Sequence, residues 1–125
     1  MSHFTTIQTV IKDIDALRAA CGELKLAVLE KAEARGYGNN RYPGDYVIQL
    51  SGPFDIAVVR QTDSSFALVT DWWQGHVEQE VGKNYGRLHQ LYAVHKATHE
   101  ARRKGLTVRR SAIANGSIKL TLTSL

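Results

Sequence analysis

Three short apolar runs joined by tight turn signals constrain this chain more than any other feature. Tyr46-Val47-Ile48-Gln49-Leu50 ends at Gly52-Pro53, Phe54 to Arg60 ends at Asp63-Ser64-Ser65, and Phe66 to Trp72 ends at Gly75. Each run has the length of a strand, and connections this short join antiparallel neighbours. The three predict a meander. A helical pattern follows at once: Val81, Tyr85, Leu88, Leu91, Tyr92, Val94 and Ala101 recur at spacings of three and four within Val77 to Lys104. Gly82 and Gly86 weaken its first turns by ~1 kcal/mol each relative to Ala, so the firm helix is expected nearer Asn84. Arg102, Arg103 and Lys104 complement the negative end of its dipole, and Gly105 is a natural residue to end it.

The flanking segments complete the pattern. His3 to Val10 mixes aromatic and β-branched residues with threonines, as a strand does. Asp13 is placed to cap a short helix carrying Ile14, Leu17, Cys21 and Leu24 at helical spacing, with Gly22 available as a stop. Leu24 to Glu30 has two readings. Leu24, Leu26 and Val28 would share one face of a strand; a helix from Leu24 to Arg35 would use the good helix formers there. The strand is preferred. Gly36 to Gly44 is dense in turn formers and predicts a loop.

Leu106 to Leu125 predicts a hairpin around Asn115-Gly116, in one of two registers. A two-residue loop sets Arg109 opposite Leu122. A three-residue loop, Ala114-Asn115-Gly116, with Gly116 left-handed, places Leu106, Val108 and Ala112 with Ile118, Leu120 and Leu122. Thr107, Arg109, Ser111, Lys119 and Thr121 then face outward. The second register is preferred because it gathers the apolar residues on one face, leaving Arg110 as a misfit expected at the rim. The order β-α-β-β-β-β-α-β-β predicts an α+β fold, loosely ferredoxin-like. Its sheet is mostly antiparallel, with two helices on one face.

At 125 residues, with 43% hydrophobic and 22% charged residues, the chain is sized for one domain, residues 1–125, with a real core. No apolar run approaches the ~18–20 residues that span a bilayer. The start Met1-Ser2-His3-Phe4-Thr5-Thr6 lacks the features of a signal peptide. A lone cysteine, Cys21, fits a reducing compartment. The expected location is cytoplasmic, with no membrane partner.

The charge is divided. Residues 1–82 carry seven Lys/Arg against eleven Asp/Glu, a net of −4; residues 83–125 carry nine against Glu100 alone, a net of +8. The basic cluster comprises Lys96, Arg102, Arg103, Lys104, Arg109, Arg110 and Lys119. It serves one of three ends: solvation and helix-end compensation, neutralisation by acids such as Glu30, Glu33, Glu78 and Glu80, or contact with an anionic partner.

The start Met1-Ser2-His3-Phe4 with Ile7 and Thr9, and Phe54-Asp55-Ile56 in the middle, resemble the family of the hypothetical chloroplast reading frame thirty-five, a domain-of-unknown-function family of plastids, cyanobacteria and other bacteria. Leu88-His89-Gln90-Leu91-Tyr92-Ala93 with Gly105, and Asn115-Gly116-Ser117-Ile118-Lys119-Leu120-Thr121-Leu122, extend the likeness to nearly the full length. Residues 31–45 look like a variant insertion, and the aromatic residue often near that family's C-terminus is missing. The resemblance supplies no catalytic residue. Members are often encoded beside an AAA+ ATPase of the MoxR type and small ferredoxin-like proteins. That implies an accessory role in an ATP-driven assembly, in the plastid stroma for plastid members.

No catalytic, metal or cofactor motif is evident. His95 and His99 lie four apart on one helix face but lack a third ligand at a useful spacing. Cys21 sits on an apolar face, where an inert thiol is the usual outcome. Gly36-Tyr37-Gly38 and Gly82-Lys83 lack the context or spacing of phosphate-binding loops. Asp55, Asp63 and Asp71 are scattered and read as solvated or capping carboxylates. On a strand, Trp72 and Trp73 would point to opposite faces. One would enter the core; the other, taken as Trp73, would lie under the 31–45 loop or form an exposed anchor beside basic groups. The expected function is that of a non-enzymatic adaptor docking a protein partner. Nucleic acid bound with weak sequence specificity is the second expectation, and an enzyme with an unrecognised site a third; self-association through an open sheet edge is a further expectation.

Overall fold

The computed structural model describes residues 3–124. Strands are β1 (Thr5–Gln8), β2 (Ala27–Arg35), β3 (Arg41–Gln49), β4 (Ile56–Arg60), β5 (Phe66–Thr70), β6 (Leu106–Ala112) and β7 (Ile118–Ser124). Helices are α1 (Ile14–Glu23), α2 (Glu78–Val81) and α3 (Gly86–Arg103). The fold is α+β, in the expected order. β1 to β5 form one antiparallel sheet ordered β1-β5-β4-β3-β2, and β6 and β7 form a separate ribbon.

The meander exists because its strands are apolar on the face toward α1 and α3. Ile48, Ile56, Val58, Phe66 and Leu68 meet Ala16, Leu17, Ala20 and Cys21 of α1 and Leu88, Leu91 and Tyr92 of α3 in the main core. Asp13 caps α1 as expected, its Oδ1 accepting from Ala16 N–H at 3.0 Å. α1 runs to Glu23, one residue past Gly22, and Lys25 takes the left-handed conformation just beyond it. Tyr92 Oη accepts from the N–H groups of Lys12 and Asp13, both at 3.2 Å, which ties the entry of α1 to α3.

Several expected boundaries change; β4 begins at Ile56, not Phe54, and β5 ends at Thr70, not Trp72. β1 is shorter than His3 to Val10; Val10 is 86% exposed and unpaired with the sheet. Residues 27–35 are strand, in line with the preferred reading, but β2 starts at Ala27 instead of Leu24 and extends to Arg35, and β3 begins at Arg41, so the loop is 36–40 only. Residues 31–45 therefore form the far half of a hairpin rather than a loop or an irregular insertion. Alternation was weak there because the side that packs, against Val47, Ala57 and Val69, is built on β2 from the small Ala32 and Ala34. Pro43 is tolerated because β3 meets β4 only over Tyr46–Ile48, leaving no ladder bond for its missing N–H to break. At Gly44 the chain bends so tightly that an added Cβ would lie 2.4 Å from the Tyr46 carbonyl. This hairpin end reaches the start of β4: Asp55 N–H donates to the Arg35 carbonyl at 3.0 Å.

The pattern from Val77 to Lys104 is likewise not one helix. The chain turns at Gly82 (φ +86), and Asn84 and Tyr85 are left-handed (φ +53 and +64) before α3 begins at Gly86. Val77, Val81 and Tyr85 are all fully buried. A broken helix thus buries the same side chains that an unbroken stripe would. At Gly82 a Cβ would meet the Arg87 backbone nitrogen at 2.7 Å, so the break depends on glycine. α3 ends as expected, with Gly105 left-handed (φ +80) and its N–H donating to the Arg102 carbonyl.

The β6–β7 ribbon adopts the bulged register. Ala112 pairs with Ile118, Val108 with Leu122 and Leu106 with Ser124, and Gly116 is left-handed (φ +86). The ribbon does not join the sheet. Gln90 Nε2 donates to the Gly116 carbonyl at 3.0 Å, so the hairpin tip lies beside the first half of α3 and β6 runs back along that helix.

Candidate functional site

The seven basic residues expected to form one surface separate into three groups. Lys96 bonds Glu100 one turn along α3 at 2.9 Å, so its charge is locally matched. Arg110 lies on the inner face of the ribbon by register and, as expected of a rim residue, keeps 39% of its side chain in solvent. Its Nη1 and Nη2 donate to the two oxygens of Glu23 at 2.7 and 2.6 Å, a bidentate pair joining β6 to the end of α1. Arg102, Arg103, Lys104, Arg109 and Lys119 are exposed and have no acidic partner within 4 Å among the described residues.

The outer face of the ribbon is built by strand pairing. Thr107 opposes Thr123, Arg109 opposes Thr121 and Ser111 opposes Lys119, so polar side chains line one face. Its inner face is mostly apolar but incompletely covered: Leu122 is 51% exposed. Each strand of the ribbon pairs only with the other, leaving both outer edges without backbone partners among the described residues.

Sequence reasoning missed Glu23. The acids expected to neutralise the basic cluster lie elsewhere. Glu30 is 3.6 Å from Arg18, and Glu80 accepts the N–H groups of Ser51 and Gly52. Glu23 meets Arg110 across 87 positions of sequence, and His95 Nε2 lies 2.8 Å from its Oε1. Its carboxyl is held down at about 2, chiefly by the Arg110 hydrogen bonds. One signal was available: Glu23 ends α1, where the helix dipole disfavours an acid and no basic residue offsets it.

Trp73 is 37% exposed but does not adjoin the basic groups. Both tryptophans follow β5 instead of lying on it, so strand alternation does not govern them. Trp72 packs against Tyr85 at 4.7 Å, and Trp73 against Tyr37 at 4.8 Å and Phe54 at 6.5 Å. Tyr37, in the short loop between β2 and β3, supplies the expected partial cover. Beneath this cluster the carboxylates are organised. Asp71 is buried and accepts the N–H groups of Trp73 and Tyr37, a capping role. Asp55 departs from expectation. It is 3% exposed, accepts three bonds from Arg35 and one from Leu50 N–H, and is not solvated. Burial pushes its carboxyl up, but the bonds from Arg35 and Leu50 outweigh this and hold it below the usual range.

Among the described residues, no three His, Cys, Asp or Glu side chains are placed to hold a metal ion. His95 and His99 lie near each other, ring centres 6.1 Å apart, with His95 engaged by Glu23. Cys21 is fully buried and its thiol is pushed up to about 12 by that burial, which keeps it protonated at neutral pH. No helix among the described residues is long and apolar enough to cross a membrane.

Residues 20–121 match the family described as protein of unknown function (DUF1257), a segment running from α1 through the first half of β7. This chain belongs to that family. It is also 32% identical to the uncharacterized protein ycf35 of Guillardia theta, over 98% of this chain and 96% of the relative. The uncharacterized protein ycf35 of Pyropia yezoensis is 30% identical over 96% of this chain and 94% of its own length. These matches agree with the resemblance read from the motifs. No solved structure matches the chain.

Proposed function

We propose that this protein is a non-catalytic adaptor that docks a protein partner on the β6–β7 ribbon and the adjoining end of α3. One observation carries this reading. The ribbon presents a polar, basic face and two strand edges unpaired among the described residues, and its own fold uses only the inner face. Arg103, Lys104, Arg109 and Lys119 are exposed without acidic partners among the described residues, so they are available to an acidic partner surface. Backbone pairing along a free edge supplies affinity, and flanking charges supply register and attraction at a distance. An AAA+ ATPase of the MoxR type is the first partner to try.

Nucleic acid is the weaker reading, for a physical reason. The outer face carries Thr107, Arg109, Ser111, Lys119, Thr121 and Thr123, with no aromatic ring on which a base could stack. The exposed Trp73 packs instead with Tyr37 and Phe54. Affinity capture from native extract, with the wild type and with Arg103→Glu/Arg109→Glu/Lys119→Glu, separates the readings. A stoichiometric protein that resists nuclease and is lost with the triple variant supports docking. Nuclease-sensitive nucleic acid with no stable protein, or a partner retained by the triple variant, overturns it.

A further inference from the structure

A second site lies on the other side of the ribbon. Where β6 runs along α3, a cleft of about 160 Å³ opens between them. Val94 and Val108 contribute apolar lining, and His95, Thr98, His99 and Arg102 line it from α3. Those four positions follow one another at helical spacing and so share a face. Arg110 lines it from β6.

Donors dominate this wall. A guanidinium can only donate hydrogen bonds, and the cleft has two. Arg110 spends Nη1 and Nη2 on Glu23, and His95 spends Nε2 on the same carboxylate. Glu23 is thereby neutralised by groups already fixed in the fold. Arg102, Thr98 and His99 have no side-chain hydrogen bond among the described residues. The two arginines set against Glu23 leave a surplus of one positive charge. A ligand must therefore bring acceptors and negative charge.

Size and symmetry narrow the class. The volume equals that of about five water molecules at ~30 Å³ each. It is below the ~300–1,000 Å³ of sites that enclose a drug-sized ligand, so a whole nucleotide would not be enclosed. The free donors stand on α3, and the Arg110 guanidinium, already paired with Glu23, adds its positive charge from β6. A planar carboxylate offers two oxygens; a tetrahedral phosphate offers three or four, and can face both walls. We propose that the α3–β6 cleft binds a single phosphate group, either inorganic phosphate or a small phosphate monoester, through Arg102, His99 and Thr98, with Arg110 opposite.

This site is independent of partner docking, because Arg103, Arg109 and Lys119 do not line the cleft. Amide NMR titration at fixed pH, with chloride used to hold ionic strength constant, tests it. Inorganic phosphate and glycerol 3-phosphate are the two probes. Saturable shifts centred on residues 95–102 and 108–110 are expected with at least one of them. Saturation by inorganic phosphate alone marks free phosphate as the ligand; tighter binding of glycerol 3-phosphate at the same residues marks a monoester. Arg102→Gln and His99→Gln should each weaken binding about tenfold or more, the usual effect of losing a charge-assisted bond. Lys119→Gln should leave it unchanged. Arg102 is exposed and makes no internal bond, so its variant keeps the fold. The proposal is overturned if neither probe saturates, if the shifts spread over all exposed lysines and arginines, or if Arg102→Gln binds as the wild type does.

Discussion

Two buried polar side chains show how differently single residues hold this fold. Among the described residues, the Tyr85 hydroxyl is the buried side-chain polar atom that lacks a hydrogen-bond partner in the protein. Its ring is fully buried against Trp72, and burial raises its hydroxyl pKa. Removing an unpaired buried hydroxyl recovers its desolvation cost. Tyr85→Phe is therefore expected to stabilise the protein by about 1 kcal/mol, raising Tm by a few degrees. A fall in Tm would show that the hydroxyl is satisfied. Asp55 is the opposite case, buried and fully engaged by Arg35 and Leu50. Asp55→Ala leaves Arg35 without its partner and should cost about 2–3 kcal/mol in denaturant unfolding. Arg35 keeps 38% of its side chain in solvent, which keeps the loss from being larger. The folded carboxyl lies below its usual range, so the stability from this pair is complete above the unfolded value near ~3.9 and is lost as pH falls through the folded one. Asp55→Asn should accordingly flatten the acid limb of the stability curve. Asp55 looked like one of several scattered acids because its partner is twenty positions earlier, on a strand that reads only weakly as a strand.

Among the elements, the ribbon is the least secured. A two-stranded hairpin has little stability of its own in water, and this one is held to α3 by a partly exposed apolar face and one bond from Gln90, and to α1 by the Glu23–Arg110 pair. Hydrogen exchange should thus be faster over 106–112 and 118–124 than over β3, β4 and β5. Glu23→Gln should speed it further while Tm moves by no more than a degree or two. Equal protection of ribbon and sheet, unaltered by the substitution, would contradict this. Acid should act the same way. Glu23 falls from the ordinary 4.5 to about 2 in the fold, so its contribution is present above 4.5 and is lost as pH drops toward 2. The ribbon's register was legible because Asn115-Gly116 and the apolar alternation agree, and a one-residue slip would expose the apolar face. The far half of the β2–β3 hairpin was not legible, since its buried face on β2 is marked only by the small Ala32 and Ala34, and Pro43 and Gly44 read as turn formers. The break at Gly82 was half legible. The glycine was visible as a weakness, but Val77, Val81 and Tyr85 are spaced as in a continuous helix.

Across the whole molecule, the divided charge follows the layers. The sheet and α1 carry the acids; the end of α3 and the ribbon carry the bases. The two meet through Glu23 and Arg110, and most of the basic surplus is left facing outward. The surplus itself was plain in the sequence. Its division into paired, cleft-lining and outward residues was not, because it depends on contacts such as Glu23 to Arg110 that no local pattern encodes. The central claim is that the outward face of the ribbon is where a partner docks. Hydrogen exchange on the complex captured from native extract measures this most directly. Slowed exchange confined to 106–112 and 118–124 and the last turn of α3 is the predicted footprint. Slowing at β2 or around Trp73, with the ribbon unchanged, would contradict it.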